Sequence, residues 1–274
     1  MQALPFVFSL VVAVVLVPLV LSRLSEAALT RENYRGRILP VPLGIAIVPV
    51  ALVALIPVML LARLTDLDVY PDNLGFAMVF VPGIALLGLI DDMLAGAGRG
   101  WRGHGRDVLS GALSTGLLKA GGTLGLALLV ASSLPGSDAE FLLATAVLVL
   151  ATNAFNLLDL RPGRSVKVFV LLGIGLTVAT QNTQALAGLG IFIAPVLVAG
   201  FFDLREKAML GDVGSNAIGA LAGLWLVLTL DTNSQLIALV VLVLVNLFGE
   251  FRSISNLIEK VPGLRHLDSL GRPG

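Results

Sequence analysis

The sequence predicts an all-α, polytopic membrane protein that forms a single domain over residues 1–274. Of its 274 residues, 57% are hydrophobic and only 13% are charged, and the mean hydropathy is +0.96. A soluble domain of this length needs more polar surface, so soluble globular classes are excluded. The apolar residues also fall in runs of about 20, the length that a helix needs to cross a bilayer. The absence of cysteine excludes disulfides and thiolate chemistry.

Nine apolar segments are predicted to be transmembrane helices. They span approximately residues 4–22, 42–62, 75–90, 109–131, 141–158, 166–180, 184–202, 215–230 and 235–251. The third and sixth of these are short for a full crossing. The first has no basic region before it and no A-x-A cleavage pattern after it, which indicates a retained helix and not a signal peptide.

The distribution of basic residues predicts the orientation, because cytoplasmic connections carry an excess of Lys and Arg. Of the 18 basic residues, 16 fall in one alternating set of connections, with Arg63 in the opposite set and Lys119 within the fourth segment. The N-terminus is therefore expected outside, and the C-terminus in the cytoplasm. The tail, residues 253–274, mixes apolar and charged residues and is expected to lie as an amphipathic segment on the cytoplasmic surface.

The stretch GLIDDML places Asp91 and Asp92 at the expected cytoplasmic end of the third segment. Two adjacent carboxylates in a medium of low dielectric constant repel each other unless a cation shares them. A divalent cation bound by carboxylates, water and substrate phosphates would do so; Mg²⁺ is the usual ion, with Mn²⁺ as the alternative. An ordinary helix end wetted by lipid headgroups is the simpler interpretation.

The stretch NAFNLLDLRPGR ends the fifth segment on the same side. Asn153, Asn156 and Asp159 are spaced by three and share one helical face. Polar side chains on an apolar helix need partners, which substrate, metal or asparagines of neighbouring helices can supply. Arg161, Arg164 and Lys167 follow as a cationic edge that suits a substrate phosphate or an anionic lipid. The electrostatics of the inner leaflet alone can explain these three residues.

The stretch MLGDVGSNAIG is expected to form a loop that opens the eighth segment. Gly211 and Gly214 remove side-chain bulk beside Asp212, so that a ligand can approach the backbone. Ser215 is expected to cap the helix, whose free N–H groups favour an anion. The loop therefore offers a carboxylate for a cation and several donors for a phosphate.

Lys119 and the loop GRGWRGHGRD are further candidates for substrate binding. Lys119 lies about ten residues inside the fourth segment, where a buried ammonium needs a partner or must extend to the interface. The loop, residues 98–107, holds three Arg, four Gly and His104. It can close over a polyanionic nucleotide, or it can serve only to set the topology.

Taken together, I-D-D, N-x-x-N-x-x-D and G-D-x-G-S in this order resemble the polyprenyl-phosphate N-acetylhexosamine-1-phosphate transferases, over about residues 86–223. That family includes phospho-N-acetylmuramoyl-pentapeptide transferase and UDP-N-acetylglucosamine-1-phosphate transferases. The resemblance implies a Mg²⁺-dependent enzyme that moves a sugar-1-phosphate from a UDP-sugar to undecaprenyl phosphate and releases UMP, starting a lipid-linked cell-envelope glycan. It also suggests a homodimer among membrane lipids; no nucleic-acid partner is expected.

The resemblance also implies roles for individual residues. It makes four aspartates catalytic: Asp91, Asp92, Asp159 and Asp212. All of these except Asp159 are expected to bind the metal. The expected substrate-binding residues are Lys119, Asn153, Asn156, Arg161, Arg164, Gly211, Gly214, Ser215 and His104.

Two departures from the family pattern indicate a divergent subgroup. Asp159 is followed by Leu-Arg-Pro-Gly where the family motif continues D-G-x-D-G, and the tail has His266 in place of a histidine-rich loop. A muramoyl-pentapeptide substrate is therefore not expected. The alternatives to an active enzyme are a catalytically altered envelope-assembly scaffold and a transporter or lipid-binding protein. Acidic residues at one face, with no inverted repeat, favour the enzyme over a transporter.

Overall fold

Long helices dominate the chain, which the computed structural model describes over residues 3–67, 69–70, 73–94 and 115–273. In chain order they are α1 (Leu4–Glu26), α2 (Ile47–Leu64), α3 (Leu74–Leu94), α4 (Thr115–Ala131), α5 (Asp138–Leu158), α6 (Arg164–Thr180), α7 (Gln184–Leu204), α8 (Gly211–Thr229), α9 (Thr232–Phe251), α10 (Ile254–Lys260) and α11 (Pro262–Ser269). Between α1 and α2 lie strands β1 (Thr30–Glu32) and β2 (Ile38–Pro40) and a 3₁₀ turn (Leu43–Ala46).

Seven of the described helices are long and apolar enough to cross a membrane: α1, α2 with its preceding 3₁₀ turn, α3, α5, α7, α8 and α9. The prediction of a helical, polytopic membrane protein is thereby confirmed. In the described part of the chain, helices α4 and α6 each have 17 residues, fewer than the roughly 20 that a helix needs to cross a bilayer. The count of nine spans and the orientation in the membrane stay predictions.

Each predicted segment overlaps one of the helices α1 to α9, but several boundaries move. Helix α5 begins at Asp138 because Ser137 and Glu140 form a capping box, in which the Ser137 N–H donates to Glu140 Oε2 at 2.8 Å. Helix α3 continues to Leu94, so the two adjacent aspartates lie in its last turns. Helix α8 begins at Gly211, earlier than predicted, so the G-D-x-G-S motif lies inside the helix.

The β1–β2 hairpin was not predicted and corrects the all-α expectation locally. Asn33 Oδ1 accepts the N–H groups of Arg35 and Arg37 at 2.8 and 3.0 Å, which builds a tight turn. The strands pair antiparallel, with Thr30 opposite Pro40, Arg31 opposite Leu39 and Glu32 opposite Ile38. The hairpin is too short and too polar to show the alternation of a buried strand.

Helix α8 is the central element and is almost wholly buried among α3, α5, α6 and α7. Close approach to α3 depends on Gly88, where a Cβ atom would collide with the backbone of Asp212. In the same way Gly44 of the 3₁₀ turn lies against the backbone of Gly214. These glycine contacts bring the start of α8 against the end of α3, which places their aspartates side by side.

Contacts between residues of different helices show which residues lie at the same end of the bundle. Lys119 of α4 contacts Asp91 of α3 and Asp212 of α8, so these residues share one end, called the charged end below. At the opposite end Thr232 Oγ1, at the start of α9, donates to Glu140 Oε1 at the start of α5 at 2.8 Å. The charged end also holds the hairpin and the tail, whose contacts are described below.

Candidate active site

Lys119 joins two of the predicted catalytic aspartates. Its Nζ donates to Asp91 Oδ2 at 3.3 Å and to Asp212 Oδ2 at 2.9 Å. The three residues come from α4, α3 and α8, and their side chains are 15%, 15% and 26% exposed, so each is partly open to solvent. Two carboxylates face one ammonium, which leaves an excess of negative charge. We call this group the lysine cluster.

The donor set of the lysine cluster fits a hard divalent cation. One carboxylate oxygen of Asp91 and one of Asp212 converge on the Lys119 ammonium. Mg²⁺ is commonly bound by one or two carboxylates together with water and substrate phosphates. Among the described residues, no group of three or more Asp, Glu or His side chains is arranged to hold a metal.

Asp92 has a different environment from Asp91. Its Oδ2 accepts the N–H of Val213 at 3.0 Å, so it binds the positive end of α8. Gly211, with φ of +73°, is required there, since a Cβ atom would collide with Asp92 Oδ2. Arg31 lies 3.7 Å from Asp92 Oδ1, and the Asp92 side chain is only 2% exposed. This arrangement does not support Asp92 as a metal ligand, and it fills the helix terminus predicted for a substrate anion.

The roles predicted for Ser215 and Gly214 also change. Ser215 was expected to cap α8, which is wrong because the helix begins four residues earlier. Instead Ser215 Oγ donates to Asn156 Oδ1 at 3.1 Å and ties α8 to α5. Gly214 is packed against Leu210 and Gly44, so protein atoms occupy the space expected for a ligand.

Asp159 ends α5 and lies close to a second acidic residue. Its Oδ1 accepts the hydroxyl of Ser165 at 2.8 Å. Burial raises the pKa of Asp159 well above its usual value, and the charge of Asp203 raises it further. Asp203, at the end of α7, accepts the N–H of Gly163 at 2.6 Å. Asp159 is therefore placed near the charged end without direct contact with Lys119.

Asn153 is used for helix packing. Its Nδ2 donates to Asn246 Oδ1 of α9 at 2.6 Å, and Asn246 Nδ2 in turn donates to the Leu150 carbonyl at 3.0 Å. The interpretation of Asn153 as an interhelical hydrogen-bonding residue is therefore the one that the structure favours.

The tail covers the cations predicted to bind phosphate. Arg164 donates from Nε and Nη2 to the two oxygens of Asp268 at 2.8 and 3.0 Å, and Arg272 donates to the same carboxylate. Burial raises the pKa of Asp268, but the hydrogen bonds from Arg164 and Arg272 outweigh it and lower the pKa to about 2. We call this group the tail cluster. It leaves Arg164 almost fully buried, at 3% exposure.

Arg161 is likewise engaged. It donates to Glu259 Oε1 of α10 at 2.9 Å, and its guanidinium stacks over the Tyr34 ring of the hairpin at 4.2 Å. The loop that contains His104 lies outside the described residues, as does the rest of the stretch 98–107.

The arginines of the hairpin and the carboxylate of Glu206, all at the charged end, were not predicted as functional candidates. Arg31, Arg35 and Arg37 were counted only as residues that set the topology, although the turn sequence N-Y-R-G next to them signals a hairpin. Glu206 is buried and contacts this hairpin, and nothing in its local sequence distinguishes it from an exposed loop residue.

No protein-family model matches the chain, and no curated protein matches it. The resemblance to the phosphosugar transferases therefore rests on the motif residues alone.

Proposed function

We propose that the protein transfers a sugar-1-phosphate, of the N-acetylhexosamine class, from a UDP-sugar to a polyprenyl phosphate and releases UMP. The observation that carries this proposal is the lysine cluster. Asp91, Lys119 and Asp212 are far apart in the sequence, yet they meet at one end of the bundle. Headgroup solvation of isolated helix ends gives no reason for such convergence.

The proposed reaction joins two phosphates. A non-bridging oxygen of the lipid phosphate attacks the phosphorus that carries the sugar, the P–O bond to UMP breaks, and UMP leaves with the bonding electrons. Mutual repulsion of the phosphates opposes this step, and cations that neutralise them lower the barrier. When bound, Mg²⁺ would supply much of that neutralisation, with Asp91 and Asp212 as its protein ligands. The Lys119 ammonium offsets further charge and keeps the two carboxylates together.

The site is proposed to face the cytoplasm, in the cytoplasmic membrane. The charged end holds Arg31, Arg161 and Arg164, which belong to the connections rich in basic residues. A nucleotide sugar would reach this end from the cytosol, and the polyprenyl phosphate would arrive from the surrounding lipid.

The test is UMP release by the purified protein in detergent. Undecaprenyl phosphate, Mg²⁺ and each member of a panel of UDP-sugars are supplied in turn. We expect release with one class of donor, loss of release on chelation of the metal, and loss in Asp212→Asn. Asp66→Asn, which changes an exposed carboxylate of the loop after α2, is the matched control and should be active. If folded protein releases no UMP with any of the UDP-sugars, that result would contradict the transferase and favour a scaffold.

A further inference from the structure

Glu206 is a buried carboxylate whose partners in the structure come from the hairpin. Its side chain has no exposed surface, and it lies between α7 and α8. Arg37 Nη1 donates to Glu206 Oε2 at 3.1 Å, and the Tyr34 hydroxyl donates to Oε1 at 3.2 Å. Arg35 Nε lies 3.4 Å from Oε1. A buried carboxylate is costly unless it is paired in this way, so these contacts hold the hairpin firmly.

Backbone hydrogen bonds fix the hairpin, and the 3₁₀ turn that follows it, to the segment that leads into α8. The Met209 N–H donates to the Pro40 carbonyl, the Leu43 N–H to the Met209 carbonyl and the Gly44 N–H to the Leu210 carbonyl, each at 2.9 Å. Because α8 begins one residue after Leu210, the hairpin and the Asp212 carboxylate are parts of one connected unit.

Arg31 is the residue that the anchored hairpin directs to the site. It is in β1, and its Nη1 lies 3.7 Å from Asp92 Oδ1, while Nη2 lies 3.5 Å from the Asp92 carbonyl. These distances describe an ion pair with long contacts, and the side chain is 36% exposed. A guanidinium has five N–H donors, more than these contacts use. Arg31 thus presents a partly exposed cation at Asp92, whose Oδ2 accepts the N–H of Val213, the residue after Asp212.

We propose that Arg31 binds a phosphate group of the substrate, and that Glu206 positions Arg31 by anchoring the hairpin. The planar guanidinium matches two oxygens of a phosphate, whereas an ammonium acts as a point charge. The assignment as a substrate contact rests on the proposed function, but the binding of a phosphate beside the lysine cluster can be measured without turnover.

The alternative is that Arg31 only neutralises Asp92. Under that role its removal lowers the thermal stability and leaves phosphate binding unchanged. The two roles therefore separate in a binding experiment with full-length protein, Mg²⁺ and inorganic pyrophosphate as the probe. Wild type should bind the probe; Arg31→Ala should bind it about 10-fold more weakly or worse, and Arg31→Lys should be intermediate. Arg23→Ala removes an exposed arginine of α1 and should bind as wild type does.

The role of Glu206 is tested by a double variant. Glu206→Gln should weaken pyrophosphate binding about 5-fold, since it loosens the hairpin and leaves Arg31 chemically intact. If Glu206 acts through Arg31, the double variant Arg31→Ala/Glu206→Gln should bind no more weakly than Arg31→Ala alone. Additive losses would contradict a positioning role. If Glu206→Gln does not fold, Glu206→Asp replaces it, and the Arg31 variants still decide the phosphate contact.

The outcomes for this proposal and for the transferase can be told apart. Arg31-dependent pyrophosphate binding without UMP release would keep the phosphate site and overturn the transferase. UMP release by wild type, with unchanged pyrophosphate binding and turnover in Arg31→Ala, would keep the transferase and overturn Arg31 as a phosphate contact. A wild-type protein that binds no pyrophosphate would overturn the phosphate site itself.

Discussion

The lysine cluster and the tail cluster lie at the same end of the bundle, but their charges are arranged in opposite ways. In the lysine cluster two carboxylates face one ammonium, and each contact uses a single oxygen. In the tail cluster two guanidiniums surround one carboxylate, with a forked pair from Arg164. The Arg164 and Arg272 side chains are only 4% and 8% exposed, which leaves little room for a ligand.

This difference shows why a buried charge alone does not identify a functional site. The forked Arg164–Asp268 pair satisfies its partners and is typical of a structural contact. The lysine cluster keeps an excess of carboxylate oxygens in reach of solvent, which is what a cation-dependent reaction requires.

The largest effect is expected from Lys119→Met. Removal of the ammonium leaves Asp91 and Asp212 facing each other, so UMP release should fall at least about 100-fold. Mg²⁺ should also stabilise this variant against heat more than it stabilises wild type, because the ion replaces the missing cation. The measurements are turnover and the apparent Tm with and without Mg²⁺. Lys207→Met, an exposed lysine after α7, is the control; equal responses in both variants would contradict the assignment.

Asp268→Asn should act on stability and leave the chemistry in place. It removes the acceptor shared by Arg164 and Arg272, and the expected cost is about 2 kcal/mol once partial solvation of the carboxylate is allowed for. The apparent Tm should then fall by about 4–8 °C. A thermal scan in detergent measures this, with Asp66→Asn as the control. An unchanged Tm would show that the tail cluster does not hold the tail.

Protonation of Asp268 should lower the stability of the fold at low pH. Its folded pKa is lowered to about 2, below the value of about 3.9 in an unfolded chain. The group therefore stabilises the fold fully above about pH 4 and loses that contribution as the pH falls towards 2. The apparent Tm of wild type and Asp268→Asn, compared across this range, should converge at low pH. A constant difference between them would contradict the shift.

The smallest effect is expected from Asn153→Leu. The change removes the hydrogen bond to Asn246 between α5 and α9, which is expected to cost about 0.6 kcal/mol in a membrane. UMP release should be unaffected, because Asn153 does not contact the lysine cluster. Loss of turnover in a variant with normal Tm would instead indicate that Asn153 binds the substrate.

The sequence predicted the positions of the long helices well, because apolar runs of bilayer length form helices whatever their neighbours are. The hairpin was not predicted, although Asn33 and Gly36 are local turn signals. Its contacts with Glu206, about 170 residues away, have no local signal in the sequence. The start of α8 was not predicted either. The glycines that suggested a loop serve instead as contact points, and Gly211 begins the helix at a left-handed φ.

For the candidate site, the sequence predicted the aspartates and Lys119 as candidates, but it gave no basis for separating their roles. Asp91 and Asp92 are adjacent and identical, yet one faces Lys119 and the other binds the N-terminus of α8. Arg164 and Arg31 were equally basic in the sequence, and only the folded tail distinguishes them. Such differences arise from tertiary contacts, which no local pattern records.

Side-by-side turnover of Asp212→Asn and Asp268→Asn tests the central claim most directly. Both variants remove one negative charge from the charged end, and both are assayed for UMP release below their own Tm, with Mg²⁺ and the preferred UDP-sugar. We expect loss of at least about 100-fold in Asp212→Asn and a change of less than about 3-fold in Asp268→Asn. An active Asp212→Asn protein, or an inactive but folded Asp268→Asn protein, would contradict it.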